Sequence, residues 1–318
     1  MCEHGLSGRL WPIHGNPYHG ELLSSWLSRL SRAYGANPIQ FCTQALSAPS
    51  VWQRDMDTGI DHALLLELGA KTATARQRVL GTTVRGYRGY VAADRIALKR
   101  FPWLLPMGLR GATRSRPWLQ YCPQCLQVDT DPYFRRSWRL AFVTMCPKHK
   151  HLLLDRCTNC HASVNFHCLP GDAETMTLCY HCGDDLRWAH ALPIDAGREY
   201  RRLSQFQAFL LRTMRRGKGQ LWGLNVTQGT SFLQGVYKLM QFFLTKMHAP
   251  VFQEALSEYV HPSFFASDLT ATRHRSFEGL DADNRLVFML FISWWCNWQA
   301  ERFIMADAEI EWGEFISI

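Results

Sequence analysis

The sequence has 318 residues, of which 47% are hydrophobic, and its formal net charge at pH 7 is +8. A chain of this length and composition can bury a sizeable core, and we expect a globular protein of two or three domains. The first residues, MCEHGLSGRLWPIHG, lack the apolar core of a signal peptide. The longest apolar run, residues 286–292 with 294–296, is shorter than the ~20 residues that a membrane span needs. We therefore expect a cytoplasmic protein without a membrane partner.

Near the amino terminus, residues 20–35 (GELLSSWLSRLSRAYG) predict a helix that ends at Gly35. Its apolar residues recur at helical spacing and would form one buried stripe of Leu22, Leu23, Trp26, Leu27, Leu30 and Tyr34. The next stretch, NPIQFCTQAL, predicts a second helix with Asn37 as its N-cap and Pro38 in its first turn. We expect this first pair of helices to serve packing.

Residues 61–81 (DHALLLELGAKTATARQRVLG) predict a second pair of helices. The first would end at Leu68 with Gly69 at the turn, and the second would begin at a cap on Thr72 or Thr74. The second helix would carry Arg76, Gln77 and Arg78. A DNA-binding helix-turn-helix has this layout, but two helices joined through a glycine are also common in helical cores. Both interpretations stay open.

Positive charge is concentrated between residues 71 and 116, where eleven basic residues stand against a single acid, Asp94. The basic residues are Lys71, Arg76, Arg78, Arg85, Arg88, Arg95, Lys99, Arg100, Arg110, Arg114 and Arg116. They are interleaved with Tyr87, Tyr90, Phe101 and Trp103. Such a stretch suits the phosphate backbone of DNA or RNA, and a solvated arginine-rich linker is the alternative. The candidate nucleic-acid-binding residues are Lys71, Arg76, Arg78, Arg85 and Arg88.

Seven of the eleven cysteines and one histidine form four C-x-x-C or C-x-x-H pairs. The pairs are Cys122 with Cys125, Cys146 with His149, Cys157 with Cys160, and Cys179 with Cys182. In a reducing cytosol, clustered cysteines are more often metal ligands than disulfides, and each pair can place two donor atoms on one small turn. The spacing therefore predicts two zinc ions.

The simplest pairing is sequential, with a three-cysteine, one-histidine site followed by a four-cysteine site. An interleaved pairing, as in cross-braced fingers, fits the same residues. Four protein ligands leave no open position for water, so we expect both zinc ions to be structural. We interpret the neighbouring donors as bystanders: His151, His161, His167, Cys168 and His181.

Two helices are predicted in the carboxy-terminal region. Residues 197–219 form an amphipathic pattern with Leu203, Phe206, Phe209, Leu210 and Met214 on one side. Around the rest lie Arg198, Arg201, Arg202, Arg212, Arg215 and Arg216. This charged face is either solvated or able to meet phosphates. Residues 284–304 are apolar almost all round, which indicates a buried helix, or else a partner interface with Trp294, Trp295 and Trp298 as candidate anchors.

The predicted fold class is mainly α with small zinc-finger β elements. We expect a helix-turn-helix-like helical domain over residues 1–116, a tandem zinc-finger module over 117–190, and a carboxy-terminal helical domain over 191–318.

Residues 10–190 resemble the TniQ/TnsD family of transposon target-selection proteins. The resemblance rests on GELLSSWLSRLSRAYG, a basic helical segment, YCPQCL, PYFRRSWRLAFVTMCPKHKHLLLDRCTNC and CYHCGDDL. It implies that the eight residues of the four pairs, which are seven cysteines and one histidine, occupy the family's metal positions. It also implies a non-catalytic adaptor, active at the nucleoid of a bacterium, that recruits an AAA+ ATPase regulator of the transposase.

The resemblance leaves two ways of finding a target. Some members of the family bind a DNA attachment site directly, and others bind an RNA-guided Cascade complex as homodimers. The region from about residue 195 to 318 is shorter here than in the attachment-site readers, which favours docking on a Cascade-type complex.

No enzyme signature is evident. The sequence contains no P-loop, no H-E-x-x-H and no G-x-S-x-G, and its acidic residues form no obvious trio for two-metal chemistry. A zinc-containing histidine–asparagine nuclease is the weaker alternative, because His161, Asn165 and His167 are too close in sequence for the separated strand and helix of such a site. We therefore expect no catalysis.

Overall fold

The structure is a computed structural model that describes residues 10–46, 48, 51–59, 61–87, 102–107, 117–191, 197–246, 254 and 276–305. It is mainly helical, as the sequence predicted. Among these residues, the sheet is a two-stranded antiparallel hairpin of β1 (Gly219–Leu221) and β2 (Leu224–Val226), with Gly219 opposite Val226. None of the described helices is both long enough and apolar enough to cross a membrane.

The chain divides into two compact units. The first unit comprises Met1–Gly86, Met107–Arg139 and Asp155–His190. Its helices are α1 (Leu23–Ala33), α2 (Pro38–Ala45), α3 (Met56–Gly59), α4 (His62–Thr72), α5 (Arg76–Leu80) and α6 (Pro123–Val128). The second unit comprises Tyr87–Pro106, Leu140–Leu154 and Ala191–Ile318. Its helices are α7 (Arg198–Arg216), α8 (Gly229–Lys246) and α9 (Ala282–Met305).

The first helix ends where the sequence predicts. Gly35 adopts the left-handed conformation with φ of 63°. Its N–H donates to the carbonyl of Arg32 at 2.8 Å, and the N–H of Ala36 donates to that of Ser31 at 2.9 Å. These two bonds close the last turn in a Schellman motif, which a residue without a Cβ adopts at little cost.

The start of α2 is also as predicted. Asn37 is the N-cap, its side chain accepts from the N–H of Ile39 at 2.9 Å, and Pro38 lies in the first turn. The apolar faces of α1, α2 and α4 then share one core with residues that precede and follow them. Its largest members are Trp11, Trp26, Phe41 and Trp52.

The second helix pair differs from the prediction. Helix α4 continues through Gly69, and its C-cap is Ala73, which has a left-handed φ of 50°. A Cβ on Gly69 would lie 2.9 Å from the carbonyl oxygen of Thr74, so glycine here permits a close approach of the following turn. The predicted turn at Gly69 is therefore wrong, because the missing side chain serves packing rather than a chain reversal.

Helix α5 begins at Arg76, later than either predicted cap would place it. Its N-cap is Ala75, which makes no side-chain cap hydrogen bond, and the helix spans only five residues. The hydroxyls of Thr72 and Thr74 instead bond each other at 2.9 Å. The predicted cap on either threonine is therefore wrong.

A buried ion group organises the first unit. Arg139, with a fully buried side chain, donates to Asp57 at 3.0 Å and to Asp55 at 3.1 Å. Asp57 also accepts from the N–H and the hydroxyl of Ser24, each at 2.9 Å. Burial raises the pKa of Asp57 to about 6 while Arg139 opposes the rise, so this carboxylate is mainly ionised at pH 7. The group ties together three segments that are far apart in the sequence.

The core of the second unit is arranged around Trp103, which is 1% exposed. Its backbone N–H donates to the Glu278 carboxylate at 2.7 Å, and its indole N–H donates to the carbonyl of Leu233 at 3.3 Å. Three rings meet it edge-on, those of Phe142, Tyr237 and Phe277. Trp103 has a φ of 70°, a left-handed conformation that a bulky residue adopts only where its surroundings fix it.

The two long carboxy-terminal helices pack on each other. The predicted apolar side of α7 is buried at all five positions, and α9 lies against α7. Residues 286–293 of α9 are buried, which confirms a core role for that stretch. Trp298 is 38% exposed and stacks on Trp294 with ring centroids 6.2 Å apart.

We predict that Arg139→Met lowers the free energy of unfolding by about 3–5 kcal/mol, because it leaves Asp57 buried without its counter-charge. Urea unfolding at constant zinc concentration measures this. The control Arg54→Met removes an exposed arginine and should change stability by about 0.5 kcal/mol or less.

Adding Asp55→Asn and Asp57→Asn to Arg139→Met should recover part of the loss, because no charge is then buried. Wild-type stability in Arg139→Met alone would contradict a stabilising role for this ion group.

Candidate metal centres

Three of the four donor pairs are built on the same backbone turn, which begins at Cys146, Cys157 and Cys179. In each turn the cysteine N–H donates to the carbonyl five residues on, which belongs to His151 (2.8 Å), Ala162 (2.9 Å) and Asp184 (2.7 Å). The cysteine carbonyl in turn accepts from the N–H four residues on, which belongs to Lys150 (2.9 Å), His161 (3.0 Å) and Gly183 (2.9 Å). An antiparallel bridge closes each turn, namely Met145 with Leu152, Arg156 with Ser163 and Leu178 with Asp185. These bridges are the small β elements that the sequence predicted.

The fifth residue of each turn is left-handed. The φ angles are 57° at Lys150, 58° at His161 and 78° at Gly183. Only Gly183 meets this requirement without a steric penalty, since a Cβ hinders the conformation in other residues. A Cβ on Gly183 would have no heavy atom within 4 Å, so a substitution there would strain the backbone alone.

The fourth pair uses a helical turn instead. Cys122 is the N-cap of α6, Pro123 fills its first turn, and Cys125 lies in the helix. The N–H of Leu126 donates to the carbonyl of Cys122 at 3.1 Å. Cys122 and Cys125 are both buried.

The structure gathers the eight predicted donors into two groups of four in chain order. The first group is Cys122, Cys125, Cys146 and His149, and the second is Cys157, Cys160, Cys179 and Cys182. Within each group the donor atoms lie within 4.8 Å of one another. This grouping is the sequential arrangement, and the described cysteines form no disulfide.

The short distances within the groups fit a tetrahedral metal ion. Zinc ligands at about 2.3 Å in tetrahedral directions are about 3.8 Å apart. In the second group, Sγ of Cys157 is 3.7 Å from Sγ of Cys182, and Sγ of Cys160 is 3.6 Å from Sγ of Cys179. In the first group, Sγ of Cys146 is 3.8 Å from Nδ1 of His149. Both groups are geometrically suitable for a metal ion.

Backbone N–H groups donate hydrogen bonds to sulfur atoms in both groups and so favour the negatively charged thiolate, which is the form that binds a metal ion. The N–H of His149 points at Sγ of Cys146 at 3.4 Å, and hydrogen bonds from His181 and Cys182 act in the same way on Cys179. Burial nevertheless raises the pKa of the Cys179 thiol to about 12. A metal ion that binds here therefore displaces a proton, and its affinity falls as the pH falls.

The predicted bystanders lie outside both groups. Cys168 and His181 are exposed, and His161 is the left-handed residue of the second turn. His167 is buried and stacks on Trp52 with ring centroids 5.1 Å apart. Asn165, which the nuclease alternative needs, accepts from the indole of Trp118 at 2.8 Å.

The candidate nucleic-acid-binding residues are placed unequally. Lys71 is 3% exposed, and its ammonium lies 3.4 Å from Glu67. Arg85 is half-buried and donates to the carbonyl of Thr58 at 2.9 Å. Arg76 and Arg78 are on the exposed side of α5, where Arg78 also donates to the carbonyl of Pro17. Lys71 and Arg85 thus contribute to the fold, and DNA binding by α5 stays a prediction.

The rest of the basic stretch lies largely outside the described residues. That part includes the fifth candidate, Arg88, together with Arg95, Lys99, Arg100, Arg110, Arg114 and Arg116.

Two supporting residues were missed in the sequence. The side chain of Gln207 on α7, 2% exposed, accepts from the N–H groups of Thr144 and Met145 and donates to the carbonyl of Met145 at 2.8 Å. It fixes the segment that leads into the Cys146 turn. The amide of Asn159 points at Sγ of Cys182 at 3.8 Å. The sequence did offer a signal for Gln207, because it is a lone glutamine on the apolar side of an amphipathic pattern.

A protein-family model described as TniQ matches residues 12–153. The match contains α1 to α6 and the whole of the first donor group. A search of the curated proteins gave no match.

Zinc analysis tests the two groups separately. Cys146→Ala and Cys160→Ala should each reduce the bound zinc from about two ions per chain to about one, because each removes a ligand from a different site. Cys168→Ala is the matched control and should retain both ions. Two zinc ions in either ligand variant would contradict the assignment.

Gly183→Ala should destabilise the chain by about 1–2 kcal/mol, because alanine resists the left-handed conformation there. His161→Gly at the equivalent position should not, since it removes the same strain. Thermal unfolding of both variants, with zinc content measured alongside, checks the pair. An equal loss of thermal stability in Gly183→Ala and His161→Gly would show that the left-handed conformation does not determine the stability of these turns.

Proposed function

Because residues 12–153 belong to the TniQ family, whose members select targets for transposition, we propose that this chain is a non-catalytic adaptor that links a target to the transposition machinery. The family match carries the proposal. The adaptor would bind a target-marking component and recruit an AAA+ ATPase that regulates the transposase. The marking component would be an RNA-guided Cascade-type complex or the target DNA itself, and the adaptor would act as a monomer or a homodimer.

The donor groups support a structural role for metal. Each has four protein ligands, which fill a tetrahedral zinc shell and leave no position for a reacting water. We propose zinc as the ion, because three thiols with an imidazole and four thiols are typical donor sets of structural zinc sites. Zinc would then contribute its binding energy to folding, as in other small metal-stabilised modules.

The geometry favours a rigid scaffold for docking. Apart from α6, the described segments around the donor groups contain no α-helix and no strand longer than a single bridge. Their shape would therefore depend on a bound metal ion and on the hydrogen bonds of the turns themselves. A surface fixed in this way needs little ordering when a partner binds, which lowers the entropic cost of association. We also propose that the boundaries near residues 116 and 190 separate helical parts from this scaffold.

Copurification with the AAA+ ATPase of the same transposon tests the proposal. The wild-type chain should retain the ATPase and should support transposition without cleaving DNA itself. Cys160→Ala should reduce ATPase retention because its scaffold is loosened, and Cys168→Ala should not.

Two results would count against the adaptor. One is failure to retain the ATPase, a Cascade-type complex and duplex DNA alike. The other is DNA cleavage by the chain alone that depends on Mg²⁺ or Mn²⁺, which would favour the nuclease alternative.

A further inference from the structure

One face of α7 carries five exposed arginines. The helix spans nineteen residues, which is about 28 Å at 1.5 Å per residue. The exposed residues along this face are Arg198, Arg201, Gln205, Ala208, Arg212, Arg215 and Arg216. At 100° per residue these positions fall within an arc of about 100°, opposite the side buried against α9. The result is a positive strip along one side of the helix, with two arginines near its start and three near its end.

Few acidic residues lie near these five arginines. Glu199 is the sole acid between residues 197 and 219, and its position is about 100° or more from most of the strip. Among the described residues, no carboxylate forms an ion pair with any of the five guanidinium groups. Exposed Lys218 extends the positive charge beyond the end of the helix.

The Cys146 turn adds a sixth cation beside the strip. The ammonium of Lys150 lies 3.4 Å from the hydroxyl of Ser204, which is one turn along α7 from Arg201. Gln207 holds the residues just before Cys146 through three hydrogen bonds. The backbone of Lys150 is therefore held in its left-handed turn, and its exposed ammonium contacts α7. We call Lys150 and the five arginines the basic face.

The chemistry of the basic face fits phosphate groups. Each guanidinium can donate two parallel hydrogen bonds to a phosphate, and the side-chain amide of Gln205 can donate as well. Single-stranded nucleic acid would call for exposed aromatic rings on which bases stack. On α7 the rings of Phe206 and Phe209 are buried, and Tyr200 is half-buried at a position about 60° outside the strip. Trp222 is stacked on Phe206 at 5.9 Å. The face thus suits a duplex backbone rather than unpaired bases.

A protein partner fits the face less well. Protein interfaces are usually centred on buried apolar or aromatic anchors, and apart from the small Ala208 the strip contains only arginine and glutamine. We infer that the basic face binds the sugar-phosphate backbone of duplex DNA without reading its sequence. The inference deepens the proposed function, on which it rests for the source of the DNA, and α7 lies outside residues 12–153.

The test is duplex-DNA binding by the full zinc-loaded chain, measured by fluorescence anisotropy over a salt series with a duplex of arbitrary sequence. The variant Arg201→Gln/Arg212→Gln/Arg215→Gln should weaken binding by roughly 10- to 100-fold at about 0.1 M salt. The slope of log affinity against log salt should become shallower by about 2–3, since each lost phosphate contact removes about 0.9. Lys150→Gln alone should reduce the slope by about 1.

The control Arg54→Gln/Lys238→Gln/Lys246→Gln removes three exposed positive charges elsewhere on the chain and should keep most of the affinity and the slope. Zinc content and circular dichroism of every variant establish that it is folded. Equal losses in control and test variants would mean that net charge alone governs binding and would overturn the inference.

ATPase retention separates this inference from the proposed function. A basic-face variant that loses DNA but retains the ATPase supports the inference. Unchanged DNA binding with loss of a protein partner would overturn it and would make the face a protein-docking surface. Absence of duplex-DNA binding in the wild-type chain would overturn it without affecting recruitment of the ATPase.

Discussion

The middle of this protein depends on one constraint, the convergence of four short turns that each present two donor atoms. Between residues 129 and 191 the described chain contains no α-helix and no paired strand longer than a single bridge. Such a segment lacks the repeating hydrogen bonds of an α-helix or a sheet, so the free energy of metal binding would supply much of its order. The equivalent backbone hydrogen bonds at Cys146, Cys157 and Cys179 give three of the four turns the same shape.

Buried polar groups specify how other segments pack. Arg139 joins Asp55, Asp57 and Ser24 in the first unit, and Gln207 joins Thr144 and Met145 to α7 in the second. Apolar contacts alone tolerate small shifts, whereas a buried charge or amide is costly unless its partners are in place. These groups therefore favour one arrangement within each unit. In the proposed adaptor, a fixed arrangement within a unit would keep the surface of that unit in one shape.

The structure changes the expectation for two of the five candidate nucleic-acid-binding residues. The sequence draws attention to residues 71–116, but Lys71 is buried and Arg85 donates to a backbone carbonyl. On α7, where the sequence allowed a merely solvated face, arginines line up on one side and Lys150 joins them. Charge density along the chain is a poor guide to charge density on the surface, because side chains from distant segments combine or become buried.

The sequence by itself determined the features that depend on neighbouring residues. The N-cap at Asn37, the helix end at Gly35, the buried sides of α7 and α9 and the four donor pairs all follow from spacing within a few residues. Tertiary structure alone decided which pairs of donors share a group and that Gly69 lies inside a helix and not at a turn. It also decided that Gln207 supports the segment before Cys146 and that Lys150 lies beside the arginines of α7. Those outcomes depend on contacts between residues far apart in the chain, and the local pattern of a sequence does not specify such contacts.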